Sequence, residues 1–488
     1  MNIKHLNVGI LHSLIGKNDG VSIVIDQTVN AMVKDMGVSL GNIYFLAAHS
    51  SPRFNAETDD IFWHKNAIHK KIIRNFSSKA PAGLDKLIHE SALYAKKVIA
   101  DFIKKNEIDL LIAHNTSHPY NFITAVGLGY YLDEIRSKNI VWPNVLVWWH
   151  DSYYERKVFK NANPVIEKYL KYLPGVHVDG IVFINNSQIE LGKRWFANYN
   201  GKKLDAFFKE RAVVVPNTSE IDWDWRDQQW NAGNLIYPKQ DNYNDSFFKD
   251  VGLIAELQKR DMKLEDAVIL LQHTRVVPRK RIEVAIDLAM ELEKKYLAAG
   301  QHKCITLLVS GHSGDEQFEY KKYLKNYMKE KLVSHPNSNV VLLFGENIIL
   351  SHRDIIVDKK YYKFAEIPAV CAAAGAIGTF FSEVEGFGNN LLEMMSYGLP
   401  VVINRYDVYK QEIEKLEFKL PAIDEGVLTD DLVNEAFRLL NDMLYRNSVI
   451  KHNLEILSRK LSHEIIAEKL SPLIVNMFTK VLNGKVLS

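Results

Sequence analysis

The sequence predicts an α/β protein built of two doubly wound domains that face each other across a cleft, and three observations predict it. The chain has 488 residues, well past the roughly 250–300 at which a single core stops growing. Short runs that are apolar throughout alternate with amphipathic stretches, the pattern of parallel strands covered by helices on both faces. That rhythm runs once, pauses, and starts again.

The first series comprises LNVGIL (6–11), NIYFLAA (42–48), IDLLIAH (108–114), NVLVWWH (144–150), GIVFIN (180–185) and AVVVPN (212–217). The second comprises AVILLQHTR (267–275), ITLLVSG (305–311), NVVLLFG (339–345), AIGTFFS (376–382) and LPVVIN (399–404). Between them, residues 218–250 are polar, rich in Trp, Asn and Asp, and follow neither periodicity, which predicts a linker. The expected division is therefore a first Rossmann-like domain over 1–217, the linker over 218–250, and a second Rossmann-like domain over 251–445. Residues 446–488 carry a helical pattern without a strand and are expected to pack back on the first domain.

Composition excludes several function classes. A hydrophobic fraction of 47%, a charged fraction of 25% and a formal net charge of +2 describe a soluble globular chain with no global reason to bind nucleic acid. The apolar run in MNIKHLNVGILHSLIG is too short and too interrupted for a leader or a membrane span. Cys304 and Cys371 have no CxxC partner, which predicts buried reduced thiols and a cytoplasmic protein.

Open α/β sheets bind ligands beyond the carboxyl ends of their strands, so the chemistry is sought there. In FFSEVEGFGNNLLEMMSYG a strand gives way to a glycine-bearing turn and then to a helix beginning near Asn389 or Asn390. A helix start there suits a phosphate, and Gly386 and Gly388 let the backbone approach one. Glu393 has a plain alternative: with Asn390 as N-cap it would close a capping box. Glu385 precedes the turn, has no helical task, and is suited to accept hydrogen bonds from sugar hydroxyls. In LLQHTRVVPRKRIEVAI, Arg275 and Lys280 stand at a second strand-to-helix junction, where two cations would neutralise a diphosphate and stabilise its departure.

The array of Glu385, Phe387, Gly388, Asn389, Asn390, Leu391 and Glu393, with Arg275 and Lys280 upstream, resembles the donor site of retaining GT-B glycosyltransferases of family 4. The resemblance spans most of the chain and is weakest over 50–100 and in the linker. It implies that Glu385 contacts the transferred hexose, that Glu393 binds the nucleotide ribose, and that Arg275 and Lys280 hold the diphosphate. The backbone from Phe387 to Leu391 would close over the donor. No metal and no cofactor are implied, since the nucleotide-diphosphate sugar is itself a substrate. The stretches LLQHTRVVPRKRIE and PVVINRYDVY are similar to members related to mannosylglucosylglycerate synthases, which hints at a small, anionic acceptor. After Val402 the family's Gly-Gly turn is replaced by NRYDVYKQEI, so selectivity there is not carried over.

On the acceptor side, LHSLIGKNDGVSIVIDQ predicts a strand, a loop and a helix from about Ser22. Where the family has a Gly-Gly pair near the donor phosphate and the acceptor, this chain has Asp19 and Gly20. His150, at a strand end before Asp151, matches a family histidine near the reacting sugar. His114 and Asn115 end a neighbouring strand and, with Asp19 and Asp151, are candidate acceptor contacts; a satisfied loop network is the alternative. The basic stretches 69–79 and 95–106 read as solvated helix faces, with contact to an anionic membrane the less favoured reading. Asp-Trp-Asp at 222–224 resembles a metal site of the other glycosyltransferase fold but lies in the linker. The expected partners are a nucleotide-diphosphate sugar and a sugar-containing or small-molecule acceptor. Two other readings stay open, a GT-B epimerase or phosphorylase and a non-catalytic scaffold subunit; the presence of all four charged donor residues argues against the scaffold.

Overall fold

In the computed structural model, which describes residues 3–17, 19–199, 204–231, 235–237, 242–312 and 318–482, the chain divides into two compact units. One holds the residues up to Thr218 together with those from His463 onward, and the other is Ser219–Ser462.

The first unit is wound on a parallel sheet of β1 (Val8–Leu11), β2 (Ile43–Ala47), β3 (Glu57–Thr58), β4 (Leu110–His114), β5 (Asn144–Trp149), β6 (Gly180–Phe183) and β7 (Ala212–Val214), in the order β3-β2-β1-β4-β5-β6-β7. Every residue of β1, β4, β5 and β6 is buried, because helices cover both faces. Val8 pairs with Ile43 on one side and Leu110 on the other, so the winding reverses between β1 and β4. Helix α1 (Gly20–Lys34) follows β1, and α2 (Leu84–Lys105) and α3 (Phe122–Ser137) flank β4 in sequence. Ile88, Ala92, Ala95, Ile99 and Phe102 form the buried stripe of α2 at helical spacing. Its basic face is paired: Lys96 with Glu134 at 2.5 Å, Lys97 with Asp101 at 3.1 Å and Lys105 with Glu57 at 3.2 Å. Among the described residues no helix is long and apolar enough to cross a membrane.

The second unit repeats the plan with β8 (Ala267–Gln272), β9 (Cys304–Val309), β10 (Val341–Phe344), β11 (Ile377–Phe380), β12 (Val401–Asn404) and β13 (Ala422–Ile423), ordered β10-β9-β8-β11-β12-β13 and parallel throughout. The winding reverses between β8 and β11. The loops leaving those two strands are the ones that carry Arg275, Lys280 and Glu385. The unit's helices include α4 (Ile282–Ala298), α5 (Asn389–Ser396), α6 (Asp430–Asn441) and α7 (Met443–Lys460). Cys304 and Cys371 are buried free thiols. The short strands Ile349–Leu350, Asp354–Ile356 and Lys359–Lys363 form a small separate sheet that charged, half-exposed residues hid from the hydrophobic pattern.

The domain boundaries differ from the expected ones. Helix α7 stays in the second unit, and α8 (Glu464–Leu482) packs on α1 and β7 of the first. Trp225, Trp230 and Leu235 of the supposed linker bury themselves with Ile450 and Leu454 of α7. The tryptophans that made this stretch look irregular are thus a hydrophobic strap, each contributing on the order of 2 kcal/mol by burial. Trp223, inside the Asp-Trp-Asp motif, donates to the Ser396 carbonyl at 2.8 Å and stacks on Tyr237.

Candidate functional site

In the second unit the loop after β8 and the loop after β11 are tied to each other. The Glu383 amide donates to the Arg279 carbonyl at 2.8 Å, and the Arg279 guanidinium donates to the Val384 carbonyl at 2.5 Å. Lys280, whose side chain is 4% exposed, forms an ion pair with Glu385 Oε1, and Arg279 reaches Oε2 at 2.9 Å. The Lys280 ammonium also lies 5.2 Å from the centre of the Phe380 ring. Burial alone would raise the Glu385 carboxyl, but Lys280 and then Arg279 outweigh it and hold the group down at about 2. Glu385 is therefore ionised at neutral pH. Lys280 is lowered from its ordinary value by burial and by the like charges of Arg279 and Arg275, with Glu385 opposing them. Arg275, Lys280 and Glu385, singled out in the sequence, thus share one electrostatic site. Arg279 was missed, because in PRKR one basic residue looks like the next.

Helix α5 begins at Asn389, and its N-cap is Gly388, which makes no side-chain cap. Glu393 is accordingly the fifth helical residue, so the capping-box alternative does not hold. Its carboxylate Oε2 instead meets His273 Nε2 at 3.2 Å. His273 directly follows β8, was not read as functional, and is fully buried. The preceding loop is held from β12: Asn404 donates to the Ser382 carbonyl at 3.0 Å, and Tyr406 donates to the Phe387 carbonyl at 2.5 Å. Phe387, Gly388 and Leu391 are buried, while Asn389 and Asn390 are half-buried. Burial, then the charge of Glu385, raises the Tyr406 hydroxyl well above its ordinary value, which keeps it a donor. Tyr406 stands in the stretch where the family pattern is broken. Tyr406→Phe is expected to cost about 1–3 kcal/mol, because the Phe387 carbonyl loses its donor in a buried place. A denaturant titration of the purified variant measures this.

In the first unit three histidines stand at the carboxyl ends of neighbouring strands. His114 Nδ1 and His150 Nε2 are 3.0 Å apart, and His12 Nδ1 lies 3.2 Å from the His114 carbonyl. The rings of His114 and His150 stack at 5.3 Å, and Trp148 stacks on His114 at 5.2 Å. Burial and then His12 push His150 down to about 3, and burial lowers His114 and His12 as well. These rings are neutral at physiological pH, each a donor at one nitrogen and an acceptor at the other. His12 was missed although it directly follows β1, much as His114 closes β4.

The remaining first-unit candidates mostly hold the local backbone. Asp19 is the N-cap of α1, accepting from the amides of Val21 and Ser22 at 3.1 Å and from the Ser22 hydroxyl at 2.6 Å. Gly20 is the first residue of α1, two residues earlier than expected. Asn115 accepts from the Asp151 amide at 3.0 Å, and Asp151 receives Arg156 Nε at 2.6 Å. That is the loop network named as the alternative. A shallow cavity of about 550 Å³ lies past the ends of β1 and β2, lined in part by Lys17, His49, Thr58 and Trp63.

No family model matches the chain. The mannosylglucosylglycerate synthase of Petrotoga mobilis is 24% identical over 447 residues, 86% of each chain. That of Thermotoga maritima is 25% identical, covering 96% of this chain and 99% of its own. Among solved structures, Anabaena HepE in complex with UDP superimposes with a TM-score of 0.52 over 98% of this chain and 100% of its own, at 13% identity. Such likeness at low identity shows the fold, which is GT-B.

Proposed function

We propose that this chain, a glycosyltransferase of GT-B fold, moves a hexose, glucose or mannose, from a nucleotide-diphosphate sugar to an acceptor hydroxyl with retention at the anomeric carbon. The observation that carries this is the pairing of Lys280 and Arg279 with one carboxylate, Glu385, with Arg275 near enough to act on Lys280, at the winding reversal of the second unit. Three positive charges against one leave a net positive site, the complement of a diphosphate. Two relatives named as synthases of a glycosylated acid, and a neighbour of the same fold that carries UDP, support a nucleotide-sugar donor.

In this reading Arg275 and Lys280 take the negative charge that grows on the diphosphate as the bond to the anomeric carbon breaks. Glu385 orients the hexose, Glu393 takes the ribose, and the loop from Phe387 to Leu391 covers the donor. The acceptor hydroxyl attacks the same face of an oxocarbenium-like sugar, so no protein nucleophile is needed. His150, neutral and buried, serves as a hydrogen-bond partner of the sugar rather than as a cationic acid. Gly20 is assigned to the donor phosphate, and Asp19, His114, Asn115 and Asp151 to the acceptor. The relatives' name points to a small acidic glycoside as acceptor.

The test is a melting-temperature screen against UDP-, GDP- and ADP-glucose and GDP-mannose, followed by product analysis with glucosylglycerate as acceptor. One donor is expected to stabilise the protein by about 2–3 kcal/mol at a hundredfold excess over its dissociation constant. No stabilisation by any of the four would overturn the reading. A product of inverted configuration would overturn the retaining assignment alone.

A further inference from the structure

His273 sits where β8 ends, fully buried, its ring stacked on Phe364 at a centroid distance of 3.9 Å. Nδ1 is 2.8 Å from the Ser310 hydroxyl, which belongs to the segment leaving β9, and Nε2 is 3.2 Å from Glu393 Oε2 on α5. One ring thus joins three elements at the carboxyl end of the sheet. The stack sets the ring plane, and the Ser310 contact sets which nitrogen faces which partner.

We infer that His273 is a positioning residue that holds the Glu393 carboxylate by Oε2, so that Oε1 is the oxygen presented to a nucleotide ribose. The inference rests on the reading of Glu393 given above. Its chemistry follows from the two contacts. A carboxylate only accepts, so Nε2 must carry the proton; a neutral ring then has a bare Nδ1, which the Ser310 hydroxyl supplies. Glu393 has a side chain of 20% exposure on an uncapped helical turn and would otherwise sample several rotamers. Holding it in one removes an ordering cost at the moment of nucleotide binding. Among the described residues Oε1 accepts no hydrogen bond, whereas Oε2 accepts the one from His273.

The probes are UDP, GDP and ADP, titrated calorimetrically into the full chain, and then the 2′,3′-dideoxy form of whichever binds tightest. His273→Ala is expected to weaken the ribonucleotide about tenfold, the size of one hydrogen bond to a charged group. It should leave the dideoxynucleotide within about twofold. His273→Gln, whose amide N–H replaces Nε2–H, is expected to recover most of the loss, and Ser310→Ala to fall between. In a Glu393→Ala background the His273 substitution should have no further effect. Equal losses toward both nucleotides, or in both backgrounds, would show a merely structural histidine and overturn the inference. If Glu393→Ala weakens binding and His273→Ala does not, the inference fails and the role of Glu393 stands. If Glu393→Ala itself changes nothing, or none of the three nucleotides binds the wild type, the ribose reading fails and takes this one with it. Should His273→Ala not fold, His273→Gln and Ser310→Ala carry the same comparison.

Discussion

Glu385→Gln is expected to lower the turnover of sugar transfer by a factor on the order of 10²–10³, and Lys280→Met by a similar factor, since each removes a charge aimed at the reacting end of the donor. Their stabilities should part. Glu385→Gln leaves Lys280 buried with Arg279 and Arg275 as its charged neighbours, and stripping one partner from a buried pair costs about 3–5 kcal/mol. Lys280→Met leaves Glu385 still paired with Arg279 at 2.9 Å and should cost less. Denaturant titrations of the two variants give the comparison, and a Lys280→Met protein less stable than Glu385→Gln would contradict it.

Two pH effects follow from the same pair. The folded Glu385 carboxyl, at about 2, lies below its ordinary 4.5, so its contribution to stability is complete above 4.5 and is lost as pH falls toward 2. The stability gap between wild type and Glu385→Gln should therefore close over that interval. In Glu385→Gln the group that raises Lys280 is gone, while burial and the two arginines still lower it. Residual activity of that variant should fall as pH rises, earlier than an ordinary lysine would dictate.

How much of this was legible in the sequence depended on whether a residue announces its task by spacing or by contact. The eight-residue interval from Glu385 to Glu393, between a strand and a helix, was legible, as were Arg275 and Lys280 after the preceding strand. The strand runs foretold both sheets because strands buried on two faces are apolar throughout. His273, Arg279 and Tyr406 were not legible, since their importance lies in contacts across 120, 106 and 19 positions of chain. Asp19 misled in the opposite way. A polar residue at a strand-to-helix turn suggests a ligand contact, yet here its carboxylate satisfies the first amides of α1. The tryptophans of 223–230 misled because aromatic side chains that pack on a distant helix show no local periodicity.

Gly311→Ala is expected to be among the most destabilising single changes in the second unit. Gly311 follows β9, and a methyl group there would lie 2.0 Å from the Thr274 carbonyl oxygen, 2.4 Å from its carbon and 2.8 Å from the Arg275 amide. These are backbone atoms, already stitched to the same segment by Val276 donating to the His312 carbonyl at 3.2 Å and Ser310 to that of Gln272 at 3.2 Å. No rotamer change relieves such a contact, so the Thr274–Arg275 peptide must move by more than an ångström, at about 3 kcal/mol or more. For a unit of this size that lowers the melting temperature by roughly 10 °C. Arg275 moves with its backbone, so nucleotide binding should weaken together with stability. Gly388→Ala makes the contrast. Its methyl would meet the Tyr406 hydroxyl at 2.4 Å, but the ring carbon behind that hydroxyl is 3.6 Å away. Measured against Tyr406→Phe alone, whose own cost is the lost bond to Phe387, Gly388→Ala should therefore cost only the strain of a φ of +126°, less than it costs in the wild-type background. A Gly311→Ala protein that melts within a degree or two of wild type, or a Gly388→Ala change that costs as much in the Tyr406→Phe background as in the wild type, would show that these loops are looser than their contacts require.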